Sequence, residues 1–147
     1  MLQYVQDYDE CFPGRYVATV YPDSTYQPWY DVIMPYLKST QILYCPSYRT
    51  QYPGYGYNAA TVASPSNLGT GASLGSVTYP AQMIALVDTN RAPTAYAPSG
   101  YTYSAYEALY TNLHNDGVNA VHVDGHAKWY KVTTIYNNGV NQYYFAN

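Results

Sequence analysis

Two β-rich runs, Val118 to Val123 and His126 to Val132, meet at Asp124-Gly125, and this commits the end of the chain to an antiparallel hairpin. Asp-Gly is favoured in the two-residue type I′ turn, where both central residues take positive φ. On that geometry Val123 pairs with His126, and His122 and His126 point to opposite faces of the sheet. Gln82 to Asp88 (QMIALVD) is the best-defined buried strand, and the tail from Val140 to Phe145 offers a last one.

Such strands need a core, and tyrosine must supply much of it: 22 of the 147 residues are Tyr, against two Phe and two Trp. A tyrosine ring buries apolar area, but its hydroxyl needs a partner or water. The length suits one domain spanning 1–147. Only 10% of the residues are charged, and six Lys and Arg against nine Asp and Glu leave a net charge of -3. That excludes nucleic acid as a partner, because phosphate neutralisation needs a basic patch. No run approaches the roughly 20 apolar residues that cross a bilayer.

The opening MLQYVQDYDE places Leu2, Val5 and nearby tyrosines at helical spacing with no cap before them. It reads as the last turns of a helix whose beginning lies outside the chain, stopped near Pro13-Gly14. Gln27 to Lys38 puts Trp29, Ile33 and Leu37 on one helical face, with Pro28 suited to the first turn and Pro35 bending or shortening the helix. Tyr16 to Tyr21 and Gln41 to Cys45 read as short strands. Tyr48 to Gly75 reads as loop with one strand near Gly54 to Asn58, and Arg91 to about Tyr106 as a long Tyr/Pro/Ser loop.

His114, Asp116, His122, Asp124 and His126 gather metal-binding residue types in a short span. Hairpin roles explain most of them, since Asp124 suits a turn; a Ca²⁺ site using Asp116 or Asp124 is the sharper alternative. Asp7, Asp9 and Glu10 sit either as a solvated helix end, as oxygen ligands for a cation, or in an ion pair with Arg15 or another subunit. Cys11 and Cys45 are compatible with one disulfide or with two free thiols. Cys45 has no histidine partner in sequence, and no nucleophile elbow, zinc-protease or P-loop motif is present. The aromatics, Trp29, Tyr30, Tyr55 and Tyr57 among them, serve as core, as subunit contacts, or as a glycan platform.

His114, nine residues and then Asp124-Gly125, within HNDGVNAVHVDGHAKWY, resembles the C-terminal signature of H-x9-DG pilin-like proteins. YVQDYDE followed by Phe12-Pro13, then WYDVIMPYLK, ILYCPS, YGYN and AQMIALVDT, agree in order, so the resemblance covers positions 4 to about 131. It implies an α+β pilin-like head in which residues 1–10, the remnant of an N-terminal helix, pack on a small antiparallel sheet with a C-terminal hairpin and long Tyr-rich loops. It further implies a leader and an apolar helix ahead of Met1, and a non-enzymatic subunit of a type IV pilus-like filament or type II secretion pseudopilus. That subunit would be extracellular, at the cell surface or periplasmic. Its partners would be copies of itself or other pilin-like subunits, with the membrane reached only through the missing helix. His114 would hydrogen-bond near the hairpin. Calcium held in the C-terminal loop of major pseudopilins adds weight to Asp116 and Asp124. His122 departs from the pattern, since relatives carry an apolar residue there. A cell-surface module holding polysaccharide on exposed tyrosines is the alternative from a different class.

Overall fold

In the computed structural model, residues 1–14, 16–18, 26–49, 52–58, 70–89 and 114–131 are described. The expected 91–106 loop, the strand over 140–145 and Arg15 lie outside them.

The C-terminal hairpin forms, with a different turn. Gly125 takes φ +93° while Asp124 stays out of the left-handed region. The Gly125 N–H donates to the His122 carbonyl at 2.9 Å, and the His122 N–H to the His126 carbonyl at 2.8 Å. The loop is therefore three residues long, a turn closed by a left-handed glycine bulge, rather than the two-residue type I′ form. The register moves by one, so His122 faces His126, and a one-residue slip exchanges faces.

Among the described residues four strands form the main antiparallel sheet, side by side in chain order. Its members are β4 (Tyr55–Tyr57), β6 (Ile84–Asp88), β7 (Gly117–His122) and β8 (Ala127–Lys131). Central β6 is buried along nearly its whole length, as its apolar run requires. Among the described residues two smaller antiparallel pairs accompany the main sheet: β1 (Cys11–Pro13) with β5 (Thr70–Ser73), and β2 (Tyr16–Ala18) with β3 (Tyr26–Pro28). The class is mixed α+β.

Helix α1 (Leu2–Asp7) ends earlier than Pro13-Gly14 would dictate. Asp9 and Glu10 take φ of 50° and 56°, two successive non-glycine residues in the left-handed region, and turn the chain into β1. The Cys11 N–H donates to the Tyr8 carbonyl at 2.9 Å and the Leu74 N–H to the Glu10 carbonyl at 2.7 Å, which offsets that strain. The expected 27–38 helix is split: Pro28 caps a single turn, α2 (Trp29–Val32), and Pro35 lies in a separate 3₁₀ turn, Met34–Tyr36. The strand expected over Gln41 to Cys45 is instead a 3₁₀ turn, Thr40–Leu43, started by the Ser39 hydroxyl accepting from the Gln41 N–H at 3.2 Å.

The core joins Tyr4 and Val5 of α1 to Phe12, Trp29, Ile33, Tyr57, Val77, Met83, Ala85 and Val123. Trp29 and Tyr57, singled out as contact aromatics, are buried here with ring centroids 5.2 Å apart. Their exposure is 1% each, which removes them from any outward face. Two buried tyrosine hydroxyls show how this composition is satisfied: Tyr57 donates to the Pro13 carbonyl at 2.9 Å, and Tyr130 bonds His122 Nε2 at 2.9 Å.

Candidate functional site

The register of the main sheet lines up four residues across four strands. Tyr55 on β4 pairs with Asp88 on β6, and Asn119 on β7 pairs with Trp129 on β8. Continuing the β6–β7 register by one step sets Asn119 beside Asp88. The backbone and side-chain amides of Asn119 both donate to Asp88 Oδ2 at 2.8 Å. Asp88 is 3% exposed, so a carboxylate at the end of a buried strand has acquired the donors it needs.

Two loop residues close over this row. His114 Nε2 lies 3.2 Å from Asp88 Oδ2 and 3.5 Å from Cys45 Sγ. The His114 carbonyl accepts the Trp129 indole N–H at 3.0 Å. Asn115 and Asp116 take φ of 56° and 60°, so the chain coils left-handed between His114 and β7; both are types that tolerate this. The hydroxyl of half-buried Tyr55 is raised above its usual pKa by burial, then by the neighbouring Asp88 carboxylate and Cys45 thiol.

The residue types are those of a cysteine-nucleophile triad, but the geometry is not. A triad imidazole touches the thiol with one ring nitrogen and the carboxylate with the other. Here a single nitrogen serves both neighbours, and Cys45 is 2% exposed. The arrangement is suited to clasping: it ties the loop after the 3₁₀ turn and the segment before β7 to the sheet through one carboxylate.

Sequence reasoning singled out His114 as a hydrogen-bonding residue near the hairpin and Asp124-Gly125 as the turn, and the structure places them so. It missed Asp88, Asn119, Trp129 and the Cys45–His114 contact. The one available signal was Asp88 itself, a charge ending an apolar strand. His122 and His126, expected on opposite faces, stack instead with centroids 4.0 Å apart and planes inclined 9°. Asp124 accepts from the His126 backbone N–H at 3.1 Å and lies 2.7 Å from His126 Nδ1. Its partial desolvation opposes ionisation, but these bonds win and hold the carboxyl below its usual pKa.

The same geometry lends the calcium reading no support. Among the described residues no three His, Cys, Asp or Glu side chains are arranged to hold a metal ion. Asp124 is engaged with His126, Asp7 accepts from the Tyr36 hydroxyl at 2.9 Å, and Asp9 and Asp116 sit at left-handed backbone positions. The disulfide is not formed: Cys11 and Cys45 are free thiols, Cys11 3.5 Å from the Asp9 carbonyl and Cys45 against His114. Of the four contact aromatics, Tyr30 and Tyr55 retain partial exposure. No described helix is long and apolar enough to cross a membrane.

The Trp129 indole lies where a side chain on Gly117 would project. Gly117→Ala is therefore expected to lever the ring away from the His114 carbonyl, red-shift tryptophan emission and cost about 1–2 kcal/mol. Unchanged emission at unchanged stability would count against the packing described.

Comparison with known proteins finds no matching family model, no matching curated relative and no matching solved structure.

Proposed function

We propose that this chain is the head of a pilin-like subunit, a non-enzymatic building block of a surface filament or secretion pseudopilus, located outside the cytoplasm. The observation that carries this is the role of the H-x9-DG residues: His114 clasps the sheet through Asp88, and Asp124-Gly125 turns the hairpin. Both ends of the motif thus serve the scaffold. The reading also draws on α1, whose Tyr4 and Val5 are buried in the core. The clasp also puts its only thiol in the interior and its imidazole between two neighbours, an arrangement fit for holding loops. Assembly would then rest on lateral contacts between exposed faces that carry tyrosines such as Tyr8 and Tyr79.

The DNA upstream of the Met1 codon and the intact mass of the native protein test this. A basic leader, a Gly-Phe-type cleavage site and about 20 in-frame apolar residues are expected. A secretory signal joined directly to Met1 would overturn the filament assignment.

A further inference from the structure

A cavity of about 550 Å³ opens on the surface beside the clasp, lined among the described residues by Gln41, Tyr44, Pro46 and Arg49. Its size is that of small-molecule sites. Tyr44 is 41% exposed, and its ring is the outermost of a connected series running from the core. Tyr57 meets Trp29, Trp29 meets Tyr30 (5.6 Å), Tyr30 meets Tyr52 (5.6 Å) and Tyr52 meets Tyr44 (4.9 Å). Each ring limits the tilt of the next, so the Tyr44 face is set before any ligand arrives.

The backbone beneath is equally fixed. The Gly54 N–H donates to the Leu43 carbonyl at 2.7 Å, the Tyr48 N–H to the Cys45 carbonyl at 3.2 Å, and Cys45 itself is held against His114. A site whose walls are already ordered loses less conformational entropy on binding. Arg49, one of six basic residues in a chain of net charge -3, is exposed and forms no ion pair among the described residues.

We propose that this cavity binds an acidic sugar, a hexuronate unit of a polysaccharide. The flat Tyr44 face suits the C–H face of a pyranose ring, and the Gln41 amide both donates to and accepts from sugar hydroxyls. The Arg49 fork matches a carboxylate in bidentate geometry, which selects the charged sugar over neutral ones. An apolar protein partner would leave the guanidinium to be desolvated without an anion, and that favours the sugar.

The site is independent of the filament assignment, since this chain alone carries Tyr44, Gln41 and Arg49. Isothermal titration of the 147-residue chain with trigalacturonate, against neutral galactotriose, tests it. Saturable one-to-one binding of the uronate is expected, with the neutral sugar at least about tenfold weaker. Tyr44→Ala should weaken uronate binding by about tenfold or more, whereas Tyr44→Phe, which keeps the ring face, should stay within about twofold. Arg49→Gln should abolish the preference for the charged sugar. Both positions are exposed, so native circular dichroism is expected for every variant. Absence of saturable uronate binding, equal binding of the neutral sugar, or binding untouched by Tyr44→Ala would overturn the proposal.

Discussion

Between pH 6.5 and about 4 the folded protein is expected to lose about 3 kcal/mol of stability, through one side chain. His122 is 2% exposed, and burial pushes its pKa from 6.5 down to about 4. The nearby His126 and Lys128 push in the same direction, while Asp124 and a hydrogen bond to the Gln82 backbone oppose them. Above pH 6.5 neither state is protonated and the full stability is present. As pH falls through 6.5 the unfolded chain takes up a proton that the folded one refuses, and stability declines by up to about 1.4 kcal/mol per pH unit until the folded pKa is reached. Asp124 acts in a lower window: its carboxyl is held below 3.8, so its contribution is lost only as pH falls beneath that value. Urea unfolding at half-unit pH steps, run on the native chain and on His122→Gln, separates the two. The variant should show a distinctly flatter profile between pH 6.5 and 4, since both proteins share every other titrating group. Parallel profiles would exclude His122 as the source.

His122 also shows where the sequence stops informing. Asp-Gly ends a hairpin legibly, because only a few residues accept the left-handed backbone a tight turn needs, yet glycine is equally at home in the two-residue turn and in the three-residue loop with a bulge. The choice is usually made by the alternation of apolar residues. Here Val118, Ala120 and His122 oppose Tyr130, Lys128 and His126 in the final register, and this mixture of polar and apolar types gives no preference for one slip over the other. Strand β6 was legible because its apolar run allows nothing else, and Trp29 with Ile33 on one helical face was a core signal that outweighs the habit of placing aromatics at interfaces. Strand β5 was illegible: Thr70-Gly-Ala-Ser73 has no apolar period and is held by backbone pairing with β1. The clasp was illegible for a different reason, since its Cys45–His114 contact spans 69 residues and no spacing rule reaches that far.

Removing the carboxylate at the centre of that clasp should have the larger structural consequence. Asp88→Ala is expected to destabilise the fold by about 3 kcal/mol, because it strips the acceptor from two Asn119 donors and from the His114 imidazole in one step. In a chain of this length that corresponds to a Tm lower by about 6–12 °C. Asp88→Asn keeps the shape and can set its one carbonyl oxygen where Oδ2 sits, so the same three contacts survive as weaker, neutral ones and the variant should fall between Asp88→Ala and the native protein. The loss has two parts that can be told apart. The Asn119 bonds lie within the sheet and survive any change at His114, whereas the His114 contact holds the loop carrying Cys45 and the segment before β7. A double-mutant cycle of Asp88→Ala with His114→Ala should therefore give a coupling of about 1 kcal/mol or more. The single His114→Ala change should also raise the reactivity of the Cys45 thiol toward an alkylating probe, as its cover is withdrawn. A stability change below about 0.5 kcal/mol for Asp88→Ala would mean that the sheet does not depend on this carboxylate. In that case the motif histidine could not be explained as a scaffold residue either, and the filament-head assignment would lose the observation on which it rests.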